Sequence, residues 1–160
     1  MVSCVFPGSF DPVTKGHLDL IARAAAMFDH VTVAVMINIR KAGTIRPEDR
    51  IRMLRKVCGV YPNVSVERWD GLLADYMSEK KEKIIIRGIR DGAELERELQ
   101  AASANRMLNS GIETVFLPCS PGMNGISSSA VREIAAFGGD IRSFVPAELT
   151  EEIESLLSKE

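Results

Sequence analysis

The stretch VSCVFPGSFDPVTKGHLDLIARAAAMFDHVTVAVM, from Val2 to Met36, carries one full unit of the fold. Its ends, VSCVF (Val2 to Phe6) and VTVAVM (Val31 to Met36), are short β-branched runs of the kind that suit a pleated, buried surface. Between them Leu18, Ile21, Ala25 and Phe28 recur at helical spacing and form an apolar stripe. Strand, helix and strand in that order predict a parallel pair joined by a right-handed crossover.

The unit then repeats. Further strands are expected at VSVERW (Val64 to Trp69), KIIIR (Lys83 to Arg87) and ETVFL (Glu113 to Leu117). Ile51, Leu54 and Val57 mark a second helix, opened by Pro47 where a missing N–H costs nothing. Helices are also expected over Leu72 to Lys81, Ala93 to Leu108, Ser129 to Phe137 and Pro146 to Leu157. Five strands, each followed by a helix, predict an α/β fold: a doubly wound, five-stranded parallel sheet of Rossmann-like type, covered on both faces. With 160 residues, 46% of them hydrophobic, the chain can bury one good core, so a single domain spanning 1–160 is expected.

Composition narrows the function classes. A formal charge of −2 is not the basic excess that a sequence-independent grip on nucleic acid or an anionic membrane requires, so neither partner is expected. Any anion must be held locally. Cys4, Cys58 and Cys119 are odd in number and far apart, which suggests neither a disulfide framework nor a zinc site and fits a reducing cytosol. No protein-held metal site is expected. No apolar run approaches the roughly 18 residues of a membrane span, and the N-terminus lacks the pattern of an export signal, so a cytoplasmic location is expected.

Open parallel sheets bind ligands beyond the carboxyl ends of their strands, where the strand order switches. The strand-to-helix junctions are accordingly the unusual ones: PGSFDPVTKGH after the first strand, NIRK (Asn38 to Lys41) after the second, DGLL after the third, GIRDG after the fourth and PCSPGMNGISSS after the fifth. The reverse junctions, FDH and YPN, are plain turns. Gly8 and Gly16 allow close backbone approach, Asp11-Pro12 sets a turn, and His17 falls in the first turn of the following helix. There the unpaired N–H groups and the helix dipole favour a phosphate and disfavour imidazolium. A neutral His17 can still donate one N–H to a phosphoryl oxygen. Arg87 emerges at the end of a buried strand, where an unpaired charge is costly, so a partner anion is expected. His30, in the FDH turn at the opposite end, is expected to be structural.

GSFDPVTKGH, Gly8 to His17, resembles the first signature of the nucleotidylyltransferase superfamily, and GISSSAVRE, Gly125 to Glu133, resembles its second. Together with IIIRGIRDG (Ile84 to Gly92) and NRML (Asn105 to Leu108), they resemble the bacterial phosphopantetheine adenylyltransferase family. The likeness extends from the first strand to about Pro146. The dinucleotide G-x-G-x-x-G and the Walker G-x-x-x-x-G-K-[ST] patterns are both missing, so phosphate is handled differently.

The resemblance implies transfer of the adenylyl group of ATP to 4′-phosphopantetheine, giving dephospho-coenzyme A and pyrophosphate, by in-line attack without a covalent enzyme intermediate. It implies catalytic roles for His17, Lys41 and Arg90. ATP contacts are implied at Ser9, Phe10, His17, Gly88, Ile89, Arg90, Glu98, Ile126, Ser127, Ser128 and Ser129. Acceptor contacts are implied at Ser9, Lys41, Leu73 and Arg87. Magnesium is implied as the companion of the triphosphate, coenzyme A or dephospho-coenzyme A as product or feedback ligand, and a homohexamer as the assembly. Departures from the family pattern are Ile39 in place of a proline after the second strand, ELERE (Glu94 to Glu98) in place of DFEYE, and GMNG before ISSS. A related transferase using nicotinamide mononucleotide or glycerol phosphate would keep the first and last motifs, but would not need RGIRD. A non-catalytic nucleotide sensor would need no second cationic site, which Lys41 and Arg87 provide.

Overall fold

A computed structural model describes residues 1–158. The chain alternates β1 (Ser3–Gly8), α1 (Lys15–Met27), β2 (His30–Met36), α2 (Pro47–Cys58), β3 (Val64–Trp69), α3 (Leu73–Lys80), β4 (Ile84–Ile89), α4 (Gly92–Leu108), β5 (Glu113–Pro118) and α5 (Ser128–Ala136). A 3₁₀ turn at Ala147–Leu149 and α6 (Thr150–Leu157) complete it. The five strands form one parallel sheet in the order β3-β2-β1-β4-β5. The expected doubly wound α/β sheet is therefore the observed one.

Strand register follows from alternation of side chains between two cores. Cys4 and Phe6 of β1, Val31, Val33 and Val35 of β2, and Ile86 of β4 face the larger core, with Ile21 and Ala24 of α1, Met53, Leu54 and Val57 of α2, Val131 of α5 and Ile153 of α6. The intervening Val5, Ala34 and Ile85 face a smaller core, with Ala74, Tyr76 and Met77 of α3 and Ile112. One face thus carries most of the packing. On the other, α4 has no buried residue among the described residues, and Leu99, Met107 and Leu108 are exposed along it.

Three helices begin on side-chain caps that satisfy otherwise unpaired N–H groups: Thr14 for α1, Asp91 for α4 and Ser127 for α5. All three helices start at the carboxyl end of the sheet. The expected helix from Pro146 to Leu157 divides instead, with the 3₁₀ turn Ala147–Leu149 preceding α6. β1 also runs two residues further than its β-branched run, because Pro7 and Gly8 pair with Ala34 and Val35.

Candidate active site

The strand order places β1 between β2 and β4, so the loops leaving β2 and β4 part on either side of the loop leaving β1. Beyond these ends lies a cavity of ≈ 560 Å³. It is lined by Ser9, Phe10 and His17 from the first junction, Asn38 and Lys41 from the second, Arg87, Gly88, Ile89 and Arg90 from β4 and its end, and Ile126, Ser127, Ser128 and Ser129 at the start of α5. A second, more open concavity between Gly138 and Glu154 shares no lining residue with it.

His17 is fixed by a reciprocal cap. The Thr14 N–H donates to His17 Nδ1 at 3.0 Å, and the His17 N–H donates to Thr14 Oγ1 at 3.3 Å. Because Nδ1 accepts, the neutral ring carries its proton on Nε2. Burial, and after it the nearby Arg87 and Arg90 guanidinium groups, push the imidazole pKa down to about 4. The ring also packs against Phe10, with centroids 4.8 Å apart. Phe10 itself is 2% exposed and holds a left-handed backbone with φ of 49°. That conformation costs roughly 1–2 kcal/mol in a residue with a Cβ. Its ring packing on Phe6 and His17 offsets the cost.

The two arginines are held by α4. Arg87 donates from Nε and Nη2 to the Glu98 carboxylate at 2.8 and 2.7 Å, and from Nη1 to the Pro7 carbonyl at 2.6 Å. The anion expected beside Arg87 is therefore supplied by the chain itself. Arg90 Nη2 donates to Glu94 Oε1 at 2.9 Å, and Nη1 to the Ile126 carbonyl at 3.2 Å. Its pairing with Glu94 keeps the Arg90 guanidinium firmly charged and pulls the Glu94 carboxyl below its ordinary range, against the opposing effect of burial.

The start of α5 closes the far side. Ser127 caps the helix by accepting the Ala130 N–H at 3.1 Å, Ser128 Oγ donates to the Pro12 carbonyl at 2.7 Å, and Ser129 Oγ accepts from Arg132 at 3.3 Å. All three hydroxyls thus have partners within the chain. The α1 and α5 N-termini, both positive ends of helix dipoles, border one cavity.

Two of the expected contact residues do not line the cavity. Glu98 sits behind Arg87 as its carboxylate partner, and Leu73 packs against the smaller core together with Met36 and Trp69. Three others were not expected as site residues, Asp11 being read only as part of a turn. The Asp11 carboxylate accepts the Thr44 and Ile45 N–H groups at 2.9 and 2.7 Å, tying the loop after β2 to the loop after β1. Arg132 Nη1 donates to the Asp11 carbonyl at 2.6 Å. Arg50, also on the cavity wall, donates from Nη1 to the Ser9 carbonyl at 3.0 Å. These contacts join positions 33 or more residues apart, and no local pattern marks them. His30, at the opposite end of the sheet, contacts Ser65 Oγ through Nε2 at 3.0 Å.

A model of the cytidylyltransferase-like family matches residues 5–134. A phosphopantetheine adenylyltransferase of Clostridium perfringens is 48% identical over 154 residues, which is 96% of this chain and 94% of that protein. The chain belongs to the phosphopantetheine adenylyltransferase family. Family members from Streptomyces coelicolor and Rubrobacter xylanophilus are 47% and 44% identical, over 91% and 97% of this chain and 91% and 94% of their own. A crystal structure described as that of a "Putative Nicotinate-nucleotide Adenylyltransferase" from Vibrio parahaemolyticus superposes with a TM-score of 0.68 at 16% identity, covering 100% of this chain and 98% of that one. At that identity the likeness concerns the fold alone.

The depressed pKa of His17 has a signed consequence. Between about pH 6.5 and about pH 4 the unfolded imidazole binds a proton that the folded one refuses, so stability falls as pH falls through this window. Urea denaturation of wild type and His17→Gln should show a shallower acid loss in the variant. Equal slopes would mean that His17 titrates normally in the folded protein.

Proposed function

We propose that the protein transfers the adenylyl group of ATP to 4′-phosphopantetheine, releasing pyrophosphate and forming dephospho-coenzyme A. The observation that carries this reading is a neutral, capped His17 at a helix N-terminus, in one cavity with Arg87, Arg90 and Lys41. Such a site holds cations and N–H donors, which is what transfer at phosphorus uses. The family membership of the chain supports the same substrates.

In this account an acceptor phosphate oxygen attacks the α-phosphorus as the bond to the pyrophosphate oxygen breaks. No proton or electron is gained or lost overall. His17 donates from Nε2 to a non-bridging α-oxygen, and the bond strengthens as charge develops in the transition state. Arg90 and the α5 N-terminus, with Ser127, Ser128 and Ser129, hold the triphosphate. Lys41 and Arg87 place the incoming phosphate in line.

Magnesium enters the proposal as the counter-ion of the ATP triphosphate. Among the described residues no group of three or more His, Cys, Asp or Glu could hold a metal ion, so no resident metal and no step through one is invoked. Coenzyme A, as a relative of the product, is proposed as a feedback ligand of the same cavity. A cytoplasmic location is proposed alongside; no helix among the described residues is long and apolar enough to cross a membrane. A homohexamer is proposed for the assembly, supported by the exposed Leu99, Met107 and Leu108 on α4. Analytical ultracentrifugation should give the mass of six chains, and a monomer at micromolar concentration would refute the assembly.

Incubation with ATP labelled in the α-phosphate, magnesium and 4′-phosphopantetheine should carry the label into dephospho-coenzyme A, and added pyrophosphate should return it to ATP. His17→Ala should lower turnover by about 10²–10³ with little change in ATP affinity. Label in ADP, or transfer only to nicotinamide mononucleotide or glycerol phosphate, would refute the reading.

A further inference from the structure

Three charged side chains are buried among the described residues: Asp11, Asp49 and Arg50. Asp49 is matched by Arg46 and Arg52, at 2.9 and 2.5 Å, and Asp11 by the two N–H groups of Thr44 and Ile45. Arg50 is not matched. It is 4% exposed, no carboxylate lies within 4.0 Å of it among the described residues, and its Nε is buried without a hydrogen-bond partner. Its one bond runs from Nη1 to the Ser9 carbonyl. The Asp11 carboxylate lies nearby, also against Gly43, but it is engaged by the Thr44 and Ile45 N–H groups and forms no ion pair with Arg50; a guanidinium removed from water without a hydrogen-bonded counter-charge is costly.

The surroundings indicate what would compensate it. Arg50 lines the cavity on the β2 side of β1, with Asn38, Lys41, Ala42 and Gly43, across from the Arg90 and Ser127 side. A Cβ placed on Gly43 would come within 2.9 Å of Arg50 Nη2 and 3.2 Å of its Cζ, so the bare backbone of this loop lies directly over the guanidinium. Asp11 ties down the base of the loop that carries Lys41 on its exposed part, and Gly43 of that loop lies against Arg50. Ser9, Lys41 and Arg50 line the same cavity.

We propose that Arg50, which forms no ion pair among the described residues, is a phosphate-binding residue of the acceptor subsite, a buried partner to Lys41 and Arg87, and gains an ion pair when the acceptor phosphate binds. The inference rests on the acceptor being a phosphorylated molecule that enters on the Lys41 side. Arg50 presents a fixed, planar fork, already oriented by the Ser9 carbonyl, whereas Lys41 is an exposed point charge. The two would divide the work of selecting a phosphate and drawing it in.

The test is calorimetry of 4′-phosphopantetheine and, separately, ATP on wild type, Arg50→Gln, Arg50→Lys and Gly43→Ala. Arg50→Gln should weaken the acceptor by about tenfold to a hundredfold, as expected for a lost bond between charged groups. Arg50→Lys should restore part of the loss, and ATP affinity should stay close to wild type throughout. Arg50→Lys keeps a buried cation and so remains informative if Arg50→Gln does not fold; Gly43→Ala, whose Cβ would crowd both the Arg50 guanidinium and the Asp11 carboxylate, should also weaken the acceptor. Unchanged acceptor binding in the folded variants would overturn the proposal. So would an equal loss for acceptor and ATP, which would make Arg50 a fastener of the Ser9 loop and nothing more. If wild type binds ATP but no 4′-phosphopantetheine, the functional reading itself fails and takes the proposal with it.

Discussion

Parallel pairing of β1 with both β2 and β4 is the constraint from which the rest of the molecule follows. With β1 central, successive units build outward in opposite directions, and their loops separate above its carboxyl end. The gap between them is the cavity. The alternation of Cys4 and Phe6 against Val5 fixes this arrangement, since a slip of one residue would exchange the two cores. The left-handed Phe10 turns the chain from β1 toward Thr14 and α1, and packing on Phe6 and His17 holds it there.

The site reconciles a nearly neutral chain with highly charged substrates. Two of its cations are oriented in advance, Arg87 by Glu98 and Arg90 by Glu94, so a phosphate bound there would require little reorganisation of them. Those carboxylates also lower the net positive field of the cavity. His17 contributes a donor without contributing charge, because burial and the two arginines keep it neutral. Arg50 differs in being a buried cation that forms no ion pair among the described residues.

The strands were legible because β-branched runs separated by helical stripes admit few other folds; Val64–Trp69 has the bounds its residues indicate. The ends of β1 and the division at Pro146 were less legible, since pairing partners and tertiary docking decide them. At the site, the strand-end motifs pointed to the residues that line the cavity. What they concealed was how those residues are held. Arg87 reads as a cation awaiting a ligand, but Glu98, eleven positions away on the next helix, already accepts from it. Leu73 reads as a neighbour of the site, yet its side chain joins the smaller core. Asp11 reads as a turn residue, and its contacts with Thr44 and Ile45 become visible only when two loops from different strands meet.

The configuration at the α-phosphorus reports whether the adenylyl group passes directly between two bound phosphates. With one diastereomer of ATP carrying sulfur on the α-phosphate and 4′-phosphopantetheine as acceptor, a single in-line displacement held by His17, Lys41, Arg87 and Arg90 inverts that centre. Inversion is expected in the dephospho-coenzyme A product. Retention would mean two displacements through a covalent adenylyl-enzyme, and would contradict direct transfer.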